Sequence, residues 1–494
     1  MSLVQNFPFA AIMLYLGGGV GCCVLSGKRA RRLCVLLNAF VMGMMWCVLR
    51  FCLQTGTSYT FMMGHFPAPW GNELRIGALE ALMSLTFSAV MTLTLLGGEA
   101  HIAEDCEEGK LPLFYTVASL LMASLTALVY TNDLFTGYVF VEINTIASCA
   151  LVMLRTRSGR ALVATTRYLI MSLLGSGLFL MGVVILYGIT GHLLMEPMGE
   201  KIAALAASGE YALPLTVTVG LFAVGLAIKS ALWPFSGWLP DAHASATSAA
   251  SGILSGLVLK GYIFLLIKIF YRVLGMGLVL SDGVENVLFL FGVGAMVMGS
   301  VYALGERDIK RLLGWSSVAQ VGYIYAGIGL GTELGMAAAC LQILVHAVTK
   351  PLLFLSAGEF MSVSGGSRAF EDVRGAGRRA PLAGLAFAVG ALSMIGIPLL
   401  GGFSVKLSLS EAALAAGGVK QWVLLGAVVL SSVLNALYYL PALSLLFERG
   451  ESGEKRLELR YAAAALVFIV LNVYLGTRSG AFEKAIALGL TLMK

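Results

Sequence analysis

The sequence predicts an all-α polytopic membrane protein of about fourteen transmembrane helices, the seventh and twelfth of them broken. Three observations carry this expectation. Hydrophobic residues make up 58% of the 494-residue chain and charged residues only 12%, against roughly 25% charged in an ordinary soluble domain. Apolar stretches of about 20 residues, the length that spans a bilayer core, recur from one end to the other. The connections between them alternate between rich and poor in Lys and Arg, as loops on opposite sides of a membrane do. The segments fill the chain and leave no soluble catalytic domain.

Taken in order, the first segment (4–25) lies in the opening MSLVQNFPFAAIMLYLGGG. With no charged n-region and no small-residue cleavage site, it is expected to be a retained spanning helix and not a signal peptide. Apolar runs then place segments at 33–53, 74–96, 111–130, 134–154, 162–187, 214–232, 245–271, 285–304, 312–330 and 335–361. The twelfth, 381–413, is interrupted around Pro398, and 421–447 and 459–476 complete the set. The tail SGAFEKAIALGLTLMK is expected to be a short amphipathic surface helix or the frayed end of the last one.

Orientation follows from the loops. KRARR (28–32), RTRSGR (155–160), GERDIKR (305–311), SRAFEDVRGAGRR (367–379) and ERGESGEKRLELR (448–460) all follow odd-numbered segments. This predicts cytoplasmic odd loops and both termini outside, in a prokaryotic plasma membrane. HIAEDCEEGK (101–110) is the exception, an acidic loop on the positive side. The net charge of +6 is explained by orientation and does not call for nucleic acid. The eight cysteines contain no CxxC pair, so neither an iron–sulfur cluster nor a zinc site is suggested.

An internal echo joins the two interrupted segments. Pro234-Phe235-Ser236-Gly237-Trp238 and Pro398-Leu399-Leu400-Gly401-Gly402-Phe403 each set a proline, a glycine three residues on and then an aromatic near a lysine. Five segments separate them, and an odd number of crossings inverts one copy relative to the other. Inverted broken helices beside charges are what a transport pathway looks like.

Ionisable groups near the bilayer centre cost about 2.5 to 3.5 kcal/mol on insertion scales, so each is a functional candidate. Glu142 lies midway along the fifth segment in TGYVFVEINTIASCALVML. Lys229 ends LFAVGLAIK in the seventh, and Lys260 lies mid-segment in SGILSGLVLKGYIFLLI. His346 and Lys350 stand four residues apart in LQILVHAVTKPLLFLSAGEF, on one helical face with Gln342 a turn earlier. Lys406 follows the break in GIPLLGGFSVK. The alternatives are snorkelling for Lys229 and Lys260, a structural counter-ion for Glu142 and a satisfied core histidine at 346. Lys268 and Arg272 are read as interface anchors, and Glu80 as a buried carboxylate of open role. Glu and Lys suit proton relay because each one's charge responds to the other, and His because its ordinary pKa lies near neutrality.

At these residues the sequence resembles the proton-translocating, antiporter-like subunits of respiratory complex I, shared with Mrp sodium/proton antiporters and membrane-bound energy-converting hydrogenases. KSALWPFSGWLPDAHASATS, FVEINTIAS, HAVTKPLLFLSAGEF and GIPLLGGFSVK carry the resemblance in their joint order. It implies fourteen helices with two inverted five-helix repeats, here 111–271 and 285–447, flanked by 1–110 and 448–494. It further implies a proton relay in which Glu142 partners Lys229, Lys260 is central, His346 and Lys350 connect onward, and Lys406 sits on the exit side. His243, in PDAHASA, matches the histidine after the seventh-helix break, with a relay or structural role. Gln342 stands where some members carry a further histidine, which points to more reliance on water there. The absence of a long lateral helix after 476 argues against the largest complex I and Mrp subunits, and lysine at 406 against the complex I subunit with glutamate there.

The leading expectation is a proton-translocating membrane subunit of a redox-driven complex of hydrogenase or complex I type. No cofactor or metal site is seen in the chain, so electron chemistry is expected in peripheral-arm partners, beside sister antiporter-like and small membrane subunits. Rival readings are a Mrp-type subunit exchanging sodium for protons, a scaffold without transport, and a bicarbonate-accumulating assembly with a soluble zinc partner.

Overall fold

In a computed structural model, residues 3–66, 71–155, 159–449 and 458–493 are described. The centre of the RTRSGR loop and most of ERGESGEKRLELR lie outside the described residues. In chain order the helices are α1 (Phe7–Val24), α2 (Gly27–Thr55), α3 (Ala78–Gly97), α4 (Glu99–Asp105), α5 (Leu111–Tyr130), α6 (Leu134–Met153), α7 (Ala161–Thr190) and α8 (Met195–Ser208). They continue with α9 (Ala212–Lys229), α10 (Trp238–Ser245), α11 (Ser248–Ile253), α12 (Leu259–Ile269), α13 (Met276–Ser281), α14 (Val284–Leu304), α15 (Ile309–Gly329) and α16 (Glu333–Ser362). The last six are α17 (Ala376–Arg379), α18 (Pro381–Ile395), α19 (Gly401–Ala416), α20 (Gly418–Leu446), α21 (Leu459–Thr477) and α22 (Ser479–Thr491). The fold is an all-α membrane protein.

Every predicted segment falls on helix. Among the described residues, twelve helical stretches are long and apolar enough to cross a membrane, and they account for all segments but the tenth and twelfth. The tenth, α15, is a continuous 21-residue helix whose interior holds Ser316, Ser317 and Gln320. These polar residues are buried against other helices, so lipid does not select against them. The twelfth is divided into α18 and α19, with Gly396 and Leu399 at positive φ in the break. The seventh is divided too: α9 ends at Lys229, and the chain passes through Ala231 at positive φ and a cis Trp233–Pro234 bond before α10.

Three expectations are corrected. KRARR is not a loop but the first turns of α2, because Lys and Arg are good helix formers whose long stems let the charge leave the apolar layer. The residues opening the third segment are not helical: Glu73–Ile76 forms an antiparallel strand pair with Tyr59–Met62, and α3 begins at Ala78. Lys268 and Arg272 are not interface anchors. Lys268 is fully buried and donates to the Val129 carbonyl at 2.8 Å, while Arg272 forms a buried ion pair with Glu80. Neighbouring helices satisfy these charges inside the bundle, which hydropathy of a single segment cannot register.

The tail helix α22 packs on the start of α3, where Gly489 faces Leu79 so closely that a Cβ would come within 2.3 Å of its side chain. Two isolated β-bridges repeat one arrangement. Asp133 caps α6 through the Thr136 amide and bridges Leu194; Asp308 caps α15 through the Lys310 and Arg311 amides and bridges Ala369. Asp308 lies 175 residues after Asp133, and Ala369 lies 175 after Leu194.

Candidate functional site: a buried line of titratable groups

The most deeply placed helices carry the charges. The stretch Ser248–Leu274 and helix α16 are apolar yet wholly enclosed by protein along their most apolar windows, unlike the outer helices. Ser248–Leu274 is not a regular helix. Between α11 and α12, residues Leu254–Val258 form a π-helical turn, a widening common at functional sites. The Ser255 carbonyl of this turn accepts a hydrogen bond from the ammonium of Lys260. Facing it, α16 contains Pro351, which cannot donate to the Ala347 carbonyl one turn back. The two irregularities pack together: a Cβ on Gly256 would lie 2.8 Å from Pro351 Cγ and 3.2 Å from the Ala347 oxygen.

Glu142 and Lys229 meet as expected. The carboxylate Oε1 stands 3.8 Å from Nζ, with the lysine fully buried and the glutamate 21% exposed. Snorkelling of Lys229 is thereby excluded. The ammonium donates to Thr145 Oγ1 at 2.6 Å and lies over the Tyr262 ring, 5.2 Å from its centroid. Tyr262 OH is 3.3 Å from Thr145 Oγ1 and donates at 3.3 Å to Asn144 Oδ1, which also accepts from Ser148. Glu142 Oε1 has no hydrogen-bond donor among the described residues, so its link to Lys229 is electrostatic. Lys229 and Lys260 make no direct polar contact. Tyr262, two residues past Lys260 on α12, is what reaches the Lys229 ammonium.

His243, Lys260, His346 and Lys350 form the central group, all fully buried and within electrostatic range of one another. Neither imidazole has a hydrogen-bond partner at either nitrogen among the described residues. Buried polar atoms left unpaired by protein are normally satisfied by water. His243 also packs, tilted by 31°, against Phe354 of α16, ring centroids 4.6 Å apart. Gln342 does not join the line; it donates to Gln320 Oε1 of α15 at 2.7 Å.

Lys406 stands apart, on α19. Its ammonium donates to the Met394 and Ile395 carbonyls that end α18 and to Ser432 Oγ at 2.7 Å, and lies 5.5 Å from the Tyr323 ring centroid. A series of contacts, polar except for one ring–ring step, runs between it and Lys350. Lys350 donates to Ser316 Oγ at 2.8 Å, Ser316 pairs with Tyr439 OH at 2.8 Å, and Tyr439 packs on Tyr438. Tyr438 donates to Asn435 Oδ1 at 2.8 Å, and Asn435 donates at 3.0 Å to the same Met394 carbonyl that accepts from Lys406.

Sequence reasoning missed this tyrosine–asparagine route, because hydroxyls and amides in apolar helices carry no hydropathy penalty large enough to stand out. It also missed Lys310, fully buried with Nζ donating 2.5 Å to the Ala246 carbonyl, because it stood in a loop-like charge run. Asn472 of α21 is a third omission. It donates to Thr349 at 2.6 Å and accepts from the Gly401 amide at 3.2 Å, tying α16 to the break before α19.

Broken helices beside buried Lys and His, with Glu142 paired to the buried Lys229, are the arrangement of an antiporter-like membrane subunit. The comparisons with known proteins agree. Residues 131–435 match the family described as NADH:quinone oxidoreductase/Mrp antiporter, TM, and the chain belongs to that family. It is 33% identical over 434 residues to NADH-quinone oxidoreductase subunit N of Desulforudis audaxviator, covering 85% of this chain and 84% of that protein. It is 30% identical over 352 residues to a Na(+)/H(+) antiporter subunit of Alkalihalophilus pseudofirmus, covering 71% and 69%. A chain of the membrane-bound sulfane sulfur reductase, an archaeal respiratory membrane complex, superposes with a TM-score of 0.89 at 26% identity, covering 98% of this chain and 97% of that one.

Proposed function

We propose that this subunit translocates protons through the relay Glu142, Lys229, Lys260, His346, Lys350 and Lys406, with His243 at its centre, as part of a redox-driven complex. The observation that supports this most is the placement of Lys260, His346 and Lys350 on the two most completely enclosed apolar stretches of the fold. A charge there costs several kcal/mol unless it is paired or hydrated, and an idle one gains nothing by it. The relay works by mutual control of charge. When Glu142 is ionised it favours protonated Lys229, and when Glu142 is neutral that support is lost and the proton can leave toward the central group. Thr145 and Tyr262 hold the ammonium in place while this happens.

Fourteen crossings in two inverted five-helix repeats, 111–271 and 285–447, form part of the same proposal. The 21 residues of α15 make a helix of about 31 Å, long enough to span a core of about 30 Å. The equal spacing of the two capped β-bridges fits a duplicated unit. Arg155, Arg311 and Arg368 gather with Asp105, Asp241 and Asp308 at one end, which we assign to the cytoplasm, with both termini on the other side. Electron chemistry then belongs to partner subunits, and this chain carries no cofactor of its own.

A second reading, sodium–proton exchange without redox chemistry, is favoured by the likeness to the Na(+)/H(+) antiporter subunit. Inverted vesicles holding the native complex separate the two. Reductant-driven acidification that persists without sodium supports the first. Acidification that appears only against an imposed sodium gradient, with no response to reductant, supports the second.

A further inference from the structure

The acidic loop that broke the charge alternation has a structural counterpart. Its first half is α4, and His101 on that helix is buried, with Nε2 3.2 Å from Glu359 Oε1. Glu359 sits on α16, nine residues beyond Lys350, or about 14 Å along the helix axis at about 1.5 Å per residue. The imidazole lies directly on the α16 backbone. A Cβ at Gly358 would come 2.8 Å from His101 Cε1 and 2.8 Å from Ser248 Oγ, so only glycine leaves room for it.

His101 borders a cavity of about 420 Å³, walled also by Glu104, Asp105, Arg155, Ser248 and Gly358, and Glu359 is the carboxylate next to it through the imidazole. At about 30 Å³ per molecule in the liquid, it has room for several waters. The His101 Nδ1 atom has no protein partner among the described residues. The wall is tied to the relay. Arg155, held by Asp105 at 3.0 Å, donates at 3.2 Å to the Ala244 carbonyl beside His243. One turn into α11 from Ser248, Ser251 donates at 3.0 Å to the carbonyl of His243 itself.

We propose that this cavity is a proton-uptake vestibule and that the His101–Glu359 pair is the group that takes protons from its water and passes them toward the relay. In the transfer, a hydronium ion in the cavity gives its proton to the pair and remains as water. The pair later releases the same proton inward, toward His346 and Lys350 on the same helix. Glu104 and Asp105 from α4 and Arg155 line the cavity together with His101, and Tyr461 of α21, hydrogen-bonded to Ser356, is within electrostatic range of Glu359. The two acids raise the local proton concentration at the vestibule, and Arg155 limits that effect. This inference rests on the proton-relay reading.

The test uses the native complex in inverted vesicles, with the initial rate of reductant-driven acidification followed across neutral and mildly alkaline pH. Glu359→Gln and the double variant H101Q/E359Q are compared with wild type and with Lys229→Ala. Roughly tenfold slower pumping in the assembled Gln variants, with a changed pH profile and partial recovery in Glu359→Asp, is the expected result; a tenfold rate loss corresponds to about 1.4 kcal/mol. Should removal of the pair prevent assembly, Ser362→Cys on the cavity wall is treated with a bulky thiol reagent after assembly, against a reagent-treated wild type. Pumping should then fall on labelling. Wild-type rate and pH profile in the Gln variants, or pumping indifferent to the label on the Ser362→Cys variant, overturns the vestibule while Lys229→Ala still abolishes pumping. Unchanged pumping in Lys229→Ala overturns the relay itself, and the vestibule with it.

Discussion

Thr145 holds the lysine of the pair that opens the proposed relay, and its place shows what one hydroxyl does there. It accepts the Lys229 ammonium at 2.6 Å and lies 3.3 Å from Tyr262 OH. Thr145→Val keeps the shape and removes the acceptor, leaving a buried ammonium short of one partner, a loss of about 1 to 3 kcal/mol. Pumping in vesicles should fall several-fold, and Thr145→Ser should restore most of it; equal rates in all three would contradict the role. The Glu80–Arg272 pair offers a contrasting case, since it holds the end of the Ser248–Leu274 stretch to α3 without lying in the relay. Removing one partner of a buried pair costs about 3 to 5 kcal/mol, whereas replacing both with apolar residues is often neutral. Glu80→Leu alone should lower the melting temperature of the purified complex, and Glu80→Leu with Arg272→Met should recover it. At this scale the sequence was informative where a charge interrupted an apolar run, as at Glu142, Lys260 and His346. It misplaced Lys268 and Arg272, whose position near a segment end looked interfacial and whose partners come from other helices.

Helix contacts set where the lysine of the seventh segment points. α7 crosses α9 where Gly175 meets Gly225: a Cβ on Gly175 would lie 2.6 Å from the Gly225 oxygen and 3.0 Å from Lys229 Cγ. Small residues that let backbones approach are the usual device for packing membrane helices. Gly175→Ala should therefore push α9 and the Lys229 stem away from Glu142. Pumping should drop with the complex still assembled, while Gly177→Ala, where a Cβ meets nothing within 4 Å, should pump as wild type. Pumping by Gly175→Ala at the wild-type rate would show that the Glu142–Lys229 distance is not critical. Helix existence was legible because lipid demands long apolar runs, and the breaks at Pro234 and Pro398 were legible because proline and glycine mark them. The π turn at Leu254–Val258 was not, since nothing in its own residues marks it and the neighbour packed on it, Pro351, lies far along the chain. The strand pair before α3 was hidden for a related reason: four-residue strands are shorter than any hydropathy window.

Across the whole molecule, the proposed relay draws its charges from Glu142 on α6, Lys229 on α9, Lys260 on α12, His346 and Lys350 on α16 and Lys406 on α19, within helices that face outward with leucine, valine and phenylalanine. The direct contacts are uneven along it. Glu142 to Lys229 is a close charge pair, the two central histidines have no hydrogen-bond partner among the described residues, and between Lys350 and Lys406 hydroxyl and amide contacts are joined by one ring–ring step. A line built this way passes protons only if its first pair responds to charge. The most direct test is the rate of reductant-driven proton uptake by inverted vesicles carrying the native complex, comparing wild type with Lys229→Ala and Glu142→Gln at equal assembly. The relay predicts that pumping collapses, by roughly tenfold or more, about 1.4 kcal/mol for each factor of ten, in both variants while the complex stays intact. Pumping at the wild-type rate in both would contradict it and leave this chain a scaffold.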